Sequence, residues 1–259
     1  MIPRPILQGL GVLTLAGVML AVGAGIAQAQ SLNIDLGAGP TTTAKLMQLT
    51  LLITVLALAP SLLVMVTCFT RIVVVLSFLR TAIGLQQTPP NVVIVSLALF
   101  LTLFVMQPVF EKAWDDGLKP LMDSQIDEET SFDRTIAPFR AFMLANTRPQ
   151  DFTMFLKMGK LDWTPREGPD AAAVAQDAPL RALIPAFMIS ELRRAFEIGF
   201  LVFLPFLIID MVIASLLMSM GMMMLPPSAI AMPFKIIFFV LVDGWYLIAG
   251  SLVKSYGLS

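Results

Sequence analysis

Long apolar stretches dominate this sequence and decide what it can fold into. Each approaches or exceeds the roughly 20 residues that a helix needs to cross a membrane; they are residues 46–69, 91–108, 198–220 and 234–253. Backbone groups in lipid must be bonded within their own segment, so these stretches are predicted to be helices. With 57% hydrophobic and 14% charged residues, a chain of 259 residues cannot bury this surface in its own core. We therefore predict an all-α integral membrane protein with four long membrane-type helices in two hairpins.

The N-terminus is typical of a secretory signal peptide, predicted to be residues 1–29. Arg4 precedes an apolar run over residues 6–26, and Ala27-Gln28-Ala29 has the small-residue form of a cleavage site. The alternative is an uncleaved anchor helix, since the run is long enough to span a membrane. Residues 30–44 are polar and contain Gly and Pro, so we expect a linker there.

The segments between the apolar stretches predict the topology. Residues 70–90 and 221–235 contain Arg71, Arg80 and Lys235 and no acid, so we expect both segments to be loops facing the cytoplasm. The segment 109–184 has nine basic and thirteen acidic residues, which favours a periplasmic position. Apolar residues at helical spacing within it predict a small helical insert. The predicted parts of the mature chain are thus a first helical hairpin, the insert and a second hairpin with a Met-rich loop: residues 45–108, 109–184 and 185–259.

Residue types weigh against an enzyme. The sequence has no histidine and a single cysteine, Cys68. His-based catalytic triads and most zinc sites therefore have no residues to form them, and no phosphate-binding glycine loop is present. We predict no catalytic residues, no metal site and no cofactor.

Methionines crowd the bend between the third and fourth apolar stretches, at Met218, Met220, Met222, Met223 and Met224. One interpretation is hydrophobic filling of a loop that dips into lipid. The other starts from a ring of subunits, in which each copy contributes this loop to a shared axis. Methionine is flexible and polarizable, so a ring of residues 220 and 222–224 could close around a passing chain and exclude ions when empty.

Charged residues inside the apolar stretches are the other candidate site. Asp210 and Asp243 are predicted to lie within the third and fourth helices, where a carboxylate needs a partner or a task. They are interpreted either as a proton path or, as we favour, as packing residues bonded to neighbours such as Ser215, Ser219 or Trp245.

A second charged group stands at the expected start of the third helix. Local pairs are predicted between Glu191 and Arg194 and between Arg193 and Glu197, three and four residues apart. The sharper hypothesis is that these charges bridge subunits, with Glu191 of one copy pairing with Lys235 of another.

Four motifs, in order along the chain, carry a resemblance to one family. They are TRIVVVLSFLRTAIGLQQTPPN at 70–91, PAFMISELRRAFEIGF at 185–200, MSMGMMMLPP at 218–227 and PFKIIFFVLVDGWYLI at 233–248. The chain resembles the FliP family of the flagellar type III export gate and its SctR-type relatives in injectisomes. The 109–184 insert is the least family-specific part.

The resemblance implies a function in transport by conduit. Such proteins form a homopentameric ring with FliQ-type and FliR-type subunits in the bacterial inner membrane, at the flagellar basal body, and work with FlhA/FlhB-type export proteins. The ring conducts unfolded proteins, and the methionine bend matches the family's gasket. The resemblance also implies helical hairpins that end largely above the membrane plane.

Rival interpretations stay open. They are an injectisome subunit, a proton or solute transporter using Asp210 and Asp243, and a scaffold for partner insertion. The leader and linker favour the flagellar assignment.

Overall fold

The computed structural model describes residues 40–85, 88–164, 177–222 and 224–257. The predicted signal peptide and the first ten residues of the predicted linker lie outside these ranges. The chain divides into two units, residues 1–55 and 56–259. Within the described ranges the regular structure is helical and includes no β-strand, which confirms the predicted all-α class.

The described part of the chain is built from α-helices and one π-helical turn. In chain order they are α1 (Pro40–Val66), α2 (Phe69–Ile83), α3 (Asn91–Ala113), a π-helical turn (Trp114–Leu118), α4 (Lys119–Met122), α5 (Glu128–Asn146), α6 (Pro149–Gly159), α7 (Leu180–Ser219), α8 (Pro227–Leu241) and α9 (Gly244–Lys254).

Membrane-spanning capacity lies mainly in the runs that contain α3 and α7. Among the described residues, two helical runs are long and apolar enough to cross a bilayer, Asn91–Met122 with 32 residues and Leu180–Ser219 with 40. A third crossing is reached if α8 and α9 count as one span, but the two helices meet at a 62° bend. The prediction of an uninterrupted fourth helix over 234–253 is therefore wrong. In α1 the apolar segment is the shorter Leu46–Leu58.

Several predicted loops are helical. Most of the expected loop 70–90 is α2, because its apolar residues recur at helical spacing and face the core. Residues 40–44, expected in the linker, open α1. The third apolar helix begins at Leu180, so Glu191 lies within it and does not mark its start. Likewise α8 begins at Pro227, which places Lys235 inside a helix.

The larger core joins α2, α3, α7, α8 and α9. Its buried side chains include Ile72, Val75, Leu79, Ala98 and Met106. Helices α2 and α7 approach closely at Gly199, where an added Cβ would lie 2.6 Å from Cδ2 of Phe78. Cys68, between α1 and α2, is fully buried in this core as expected for a small apolar residue.

A second core holds the insert against its own chain. Met143 of α5 and Phe152 and Leu156 of α6 pack with Leu183 and Phe187 near the start of α7. The predicted helices of the insert are thus present, and they pack on the long helix of the same subunit. The insert thus contacts the first half of α7.

Candidate functional site: buried charges and the methionine bend

A buried ion pair ties α2 to α7. Arg71 Nε donates to Glu191 Oε2 at 2.8 Å, and Nη2 donates to Oε1 of the same carboxylate. The side chains are 1% and 0% exposed. Two parallel hydrogen bonds to one carboxylate give the geometry that best offsets the cost of removing both charges from water. Arg71 therefore belongs to the core and not to a cytoplasmic loop, contrary to the sequence-based prediction.

The end of the chain completes this charged cluster. Tyr256 Oη donates to Glu191 Oε2 at 2.6 Å, and Arg71 Nη1 donates to Ser255 Oγ at 3.0 Å. The Arg71 guanidinium also lies 3.9 Å from the centre of the Tyr256 ring, in cation–π geometry. We call Arg71, Glu191, Ser255 and Tyr256 the core charge cluster. It fixes the residues after α9 onto α2 and α7.

A second ion pair joins α7 to α8. Lys235 Nζ lies 2.6 Å from Oδ2 of Asp210 and donates to the Ala82 carbonyl oxygen at 3.1 Å. Asp210 is thus partnered by a lysine, and not by Ser215, Ser219 or Trp245. The other carboxylate oxygen, Oδ1, is buried without a hydrogen bond among the described residues. This pair fits the favoured packing role of Asp210, although its partner was missed.

Sequence reasoning also misjudged Asp243. The residue is exposed and lies at the bend between α8 and α9, with φ 50° and ψ 53°. This left-handed conformation is uncommon outside glycine, although aspartate adopts it more readily than most residues. Next to it, an added Cβ on Gly244 would lie 2.1 Å from Cε2 of Phe239, so the bend requires glycine there. Asp243 therefore belongs to a turn, not to the middle of a helix.

The remaining predicted charges divide into two kinds. Arg193 Nε and Glu197 Oε1 form the expected pair at 2.9 Å, and both side chains are more than half exposed. Such a pair contributes little stability on its own. The predicted pair of Glu191 with Arg194 is replaced, because Glu191 bonds to Arg71 and Tyr256. Within one chain Glu191 and Lys235 thus have separate partners, and their pairing between copies stays a prediction.

The methionine bend lies at the end of α7. Gly221, with φ 73°, turns the chain, and pairing of its amide with the Met218 carbonyl closes the turn. Met218, Met220 and Met224 are exposed, Met224 at 98%, whereas Met222 is half-buried. Met223 lies outside the described residues. The described residues therefore leave the side chains of Met218, Met220 and Met224 accessible to lipid or to another protein chain.

Two long helices present apolar faces that the described part of the chain leaves exposed. On α3 the exposed residues are Val92, Val93, Val95, Leu99, Phe100, Leu103 and Phe104. On α7 they are Phe196, Phe200, Leu201, Leu207, Ile208, Met211, Val212 and Leu216. Exposed apolar surface of this extent marks contact with lipid or with other protein chains.

The helices, the internal ion pairs and the uncovered apolar faces define a helical membrane protein. Comparison with known families narrows this class, because the model described as the FliP family matches residues 52–252. The chain belongs to the FliP family.

Three relatives align with this chain over most of their lengths. The chain is 55% identical over 243 residues to the flagellar biosynthetic protein FliP of Caulobacter vibrioides, covering 93% of this chain and 88% of the relative. The protein of the same name from Bacillus subtilis is 49% identical, with 87% and 98% covered. That of Rhizobium meliloti is 49% identical, with 90% and 94% covered.

Proposed function

We propose that this chain is a pore-forming subunit of the flagellar type III export gate, where it conducts unfolded flagellar proteins across the inner membrane region. The observation that carries the proposal is the methionine bend, in which Met218, Met220 and Met224 are exposed although they are apolar. The relatives are named flagellar biosynthetic proteins, which favours the flagellar export gate over an injectisome. The work is that of a conduit and requires no catalytic group.

In a ring of copies, the exposed methionines form the wall of a central pore. Each copy contributes one bend, so residues 218–224 from all copies surround the same axis. Unbranched thioether side chains adapt to the varied shapes of an unfolded polypeptide. When no substrate is present, the same side chains form an apolar constriction that excludes water and ions. Half-buried Met222 anchors the bend, and fully exposed Met224 reaches furthest toward the axis.

The uncovered faces of α3 and α7 supply the surface for assembly. We assign them to neighbouring copies, five in the ring, and to FliQ-type and FliR-type subunits, with FlhA/FlhB-type proteins beyond. The exposed Arg193–Glu197 pair and Arg194 lie on the same helix as the α7 face and can form ion pairs across it. A charge pair between Glu191 and Lys235 of different copies requires that the pairs within each chain exchange partners.

We also propose where the chain lies in the cell and how it reaches the membrane. The chain is exported by a signal peptide, residues 1–29, and lies in the inner membrane at the flagellar basal body. The acid-rich insert, residues 109–184, lies on the periplasmic side. Because the insert packs against α7, we assign it the role of a spacer on the periplasmic side of the helical bundle.

Disulfide cross-linking tests whether the bends of separate copies meet. Met224→Cys introduces an exposed thiol into a chain whose own Cys68 is fully buried, so the unchanged chain is the background control. Met158→Cys on α6, at a position that is 72% exposed against 98% for Met224, controls for random collision. In the complex assembled with its partner subunits, oxidation is expected to link Met224→Cys copies efficiently. Linking no greater than at position 158 would refute the ring.

A further inference from the structure

An apolar cavity of about 340 Å³ lies between α2, α3 and α8. Its walls include Leu76 and Leu79 of α2, Ile94 of α3 and Phe239 of α8, and Trp245 lies at its edge. The cavity borders the turn that joins α2 to α3 and is separate from the methionine bend and from both ion pairs. Arg80 is the charged residue among its lining side chains.

Arg80 is held in place without a countercharge. Its Nη1 donates to Asn91 Oδ1 at 2.5 Å and to the Pro89 carbonyl oxygen at 3.4 Å, and both acceptors are neutral. Among the described residues, no carboxylate lies within ion-pair distance of Arg80, in contrast to Arg71 and Lys235. The C-terminal dipole of α2 offsets only part of this charge. Among the described residues, no acceptor bonds to Nε or Nη2 of Arg80, so these donors can bind an external anion.

The size and lining of the cavity decide what kind of ligand fits. A helix with its side chains is about 10 Å across, and a spherical space of this volume is about 9 Å across, so a partner helix does not fit. A stretch of acyl chain can. A tryptophan at the rim of an apolar cavity is also typical of the membrane–water interface. Basic pockets between membrane helices on the cytoplasmic side bind anionic lipid headgroups.

We propose that this cavity binds one anionic phospholipid, with its phosphate on Arg80 and part of an acyl chain between α2, α3 and α8. The acyl chain alone gives little selectivity, because the surrounding membrane is as apolar as the cavity. Discrimination comes from the charge-assisted hydrogen bonds between the phosphate and the guanidinium. The site thus places an anionic lipid beside residues 88–90, and the lipid supplies the countercharge that the described residues lack there.

Native mass spectrometry of the purified, delipidated full-length chain tests the headgroup preference. The probes are phosphatidylglycerol and phosphatidylcholine with identical acyl chains. The unchanged chain is expected to bind phosphatidylglycerol about tenfold or more tightly than phosphatidylcholine. Arg80→Gln should abolish that difference, and Arg80→Lys should retain part of it. Arg193→Gln, which removes a charge from the exposed pair on α7, is the control and should leave the preference unchanged.

A second variant tests the cavity without touching the charge. Val93 lines the cavity and is 51% exposed, whereas its neighbour Val92 is 75% exposed and does not line it. Val93→Trp should fill the cavity and weaken phosphatidylglycerol binding about tenfold, and Val92→Trp should not. Equal binding of the two lipids by the unchanged chain, or equal binding by both tryptophan variants, would overturn the proposal. So would a cavity that stays lipid-free because a side chain of a partner subunit occupies it.

Discussion

Lys235 and Asp210 form an ion pair 2.6 Å long between two apolar helices, and the lysine also caps the carbonyl oxygen of Ala82 on a third. The pair therefore links α7, α8 and the end of α2 at one point. Among the described residues, Asp210 Oδ1 is buried without a hydrogen bond, and Lys235 is the partner of the other carboxylate oxygen. Each charge depends on the other to remain inside the bundle.

Replacement of Lys235 tests this dependence. Lys235→Met is expected to lower the free energy of unfolding by about 2 kcal/mol, because it leaves a partly buried carboxylate without its cation. The double variant Lys235→Met with Asp210→Leu should recover most of the loss, since no unpaired charge remains. Thermal unfolding in detergent, followed by circular dichroism, measures both. Additive losses in the double variant would show that the two residues act independently.

The core charge cluster should be more sensitive. Glu191→Gln keeps the shape but removes the charge that faces Arg71, and we expect a loss of about 3 kcal/mol. Tyr256→Phe removes one hydrogen bond and should cost about 1 kcal/mol. Arg193→Ala, at the exposed pair, should change stability by no more than about 0.5 kcal/mol. The same unfolding assay orders the three, and equal losses would contradict the structural ranking.

The junction between the insert and α7 should respond to acid. Burial raises the pKa of Asp151, but hydrogen bonds from Ser190 at 2.6 Å and from Arg148, together with the arginine charge, outweigh burial and hold the pKa below its ordinary value. Because the folded pKa is the lower one, this stabilisation is complete above the unfolded pKa of about 4 and is lost as pH falls through the folded value. Hydrogen exchange of α6 between pH 7 and pH 3 measures it. In Asp151→Asn the pH-dependent part should disappear; an unchanged profile would exclude Asp151 as its source.

Loss of the methionines at the bend is expected to make the complex permeable to ions. Replacing Met222, Met223 and Met224 together by alanine should leave assembly intact and raise the ion permeability of the complex, because the apolar constriction becomes wider. Met158→Ala on α6, at an exposed position outside the bend, is the control and should not leak. Ion flux through the assembled complex in liposomes measures the effect. If the ion permeability equals that of the parent complex, the methionines do not form the seal.

Two glycines form a matched test of helix packing. An added Cβ at Gly199 meets Phe78 at 2.6 Å, whereas at Gly250 in α9 nothing lies within 4 Å. Gly199→Ala should therefore destabilise the contact of α2 with α7 by about 1–3 kcal/mol. Gly250→Ala should stabilise the chain by about 0.5–1 kcal/mol, because alanine favours the helix and meets no clash. Opposite signs in the unfolding assay are expected, and equal signs would contradict this packing.

Parts of the site could be read from local patterns. The i, i+4 spacing of Arg193 and Glu197 predicted a pair that forms within one helix, and the methionines cluster in consecutive positions. The Gly-containing bend and the helical apolar spacing of the insert are local in the same sense. The partners of Glu191 and Asp210 could not be predicted this way, since Arg71 is 120 residues from Glu191 and Lys235 is 25 residues from Asp210.

The sequence by itself determined that the chain is helical and membrane-bound, because long apolar stretches leave the backbone only its own hydrogen bonds to use. The sequence also contains the family motifs and the cluster of methionines at the bend. Tertiary structure decided that the segment 70–83 is a buried helix, that the last apolar stretch bends at Asp243 and that Arg71 pairs with Glu191. These outcomes depend on which helices meet, and a charge inside an apolar bundle is stable only where the fold brings its partner within reach.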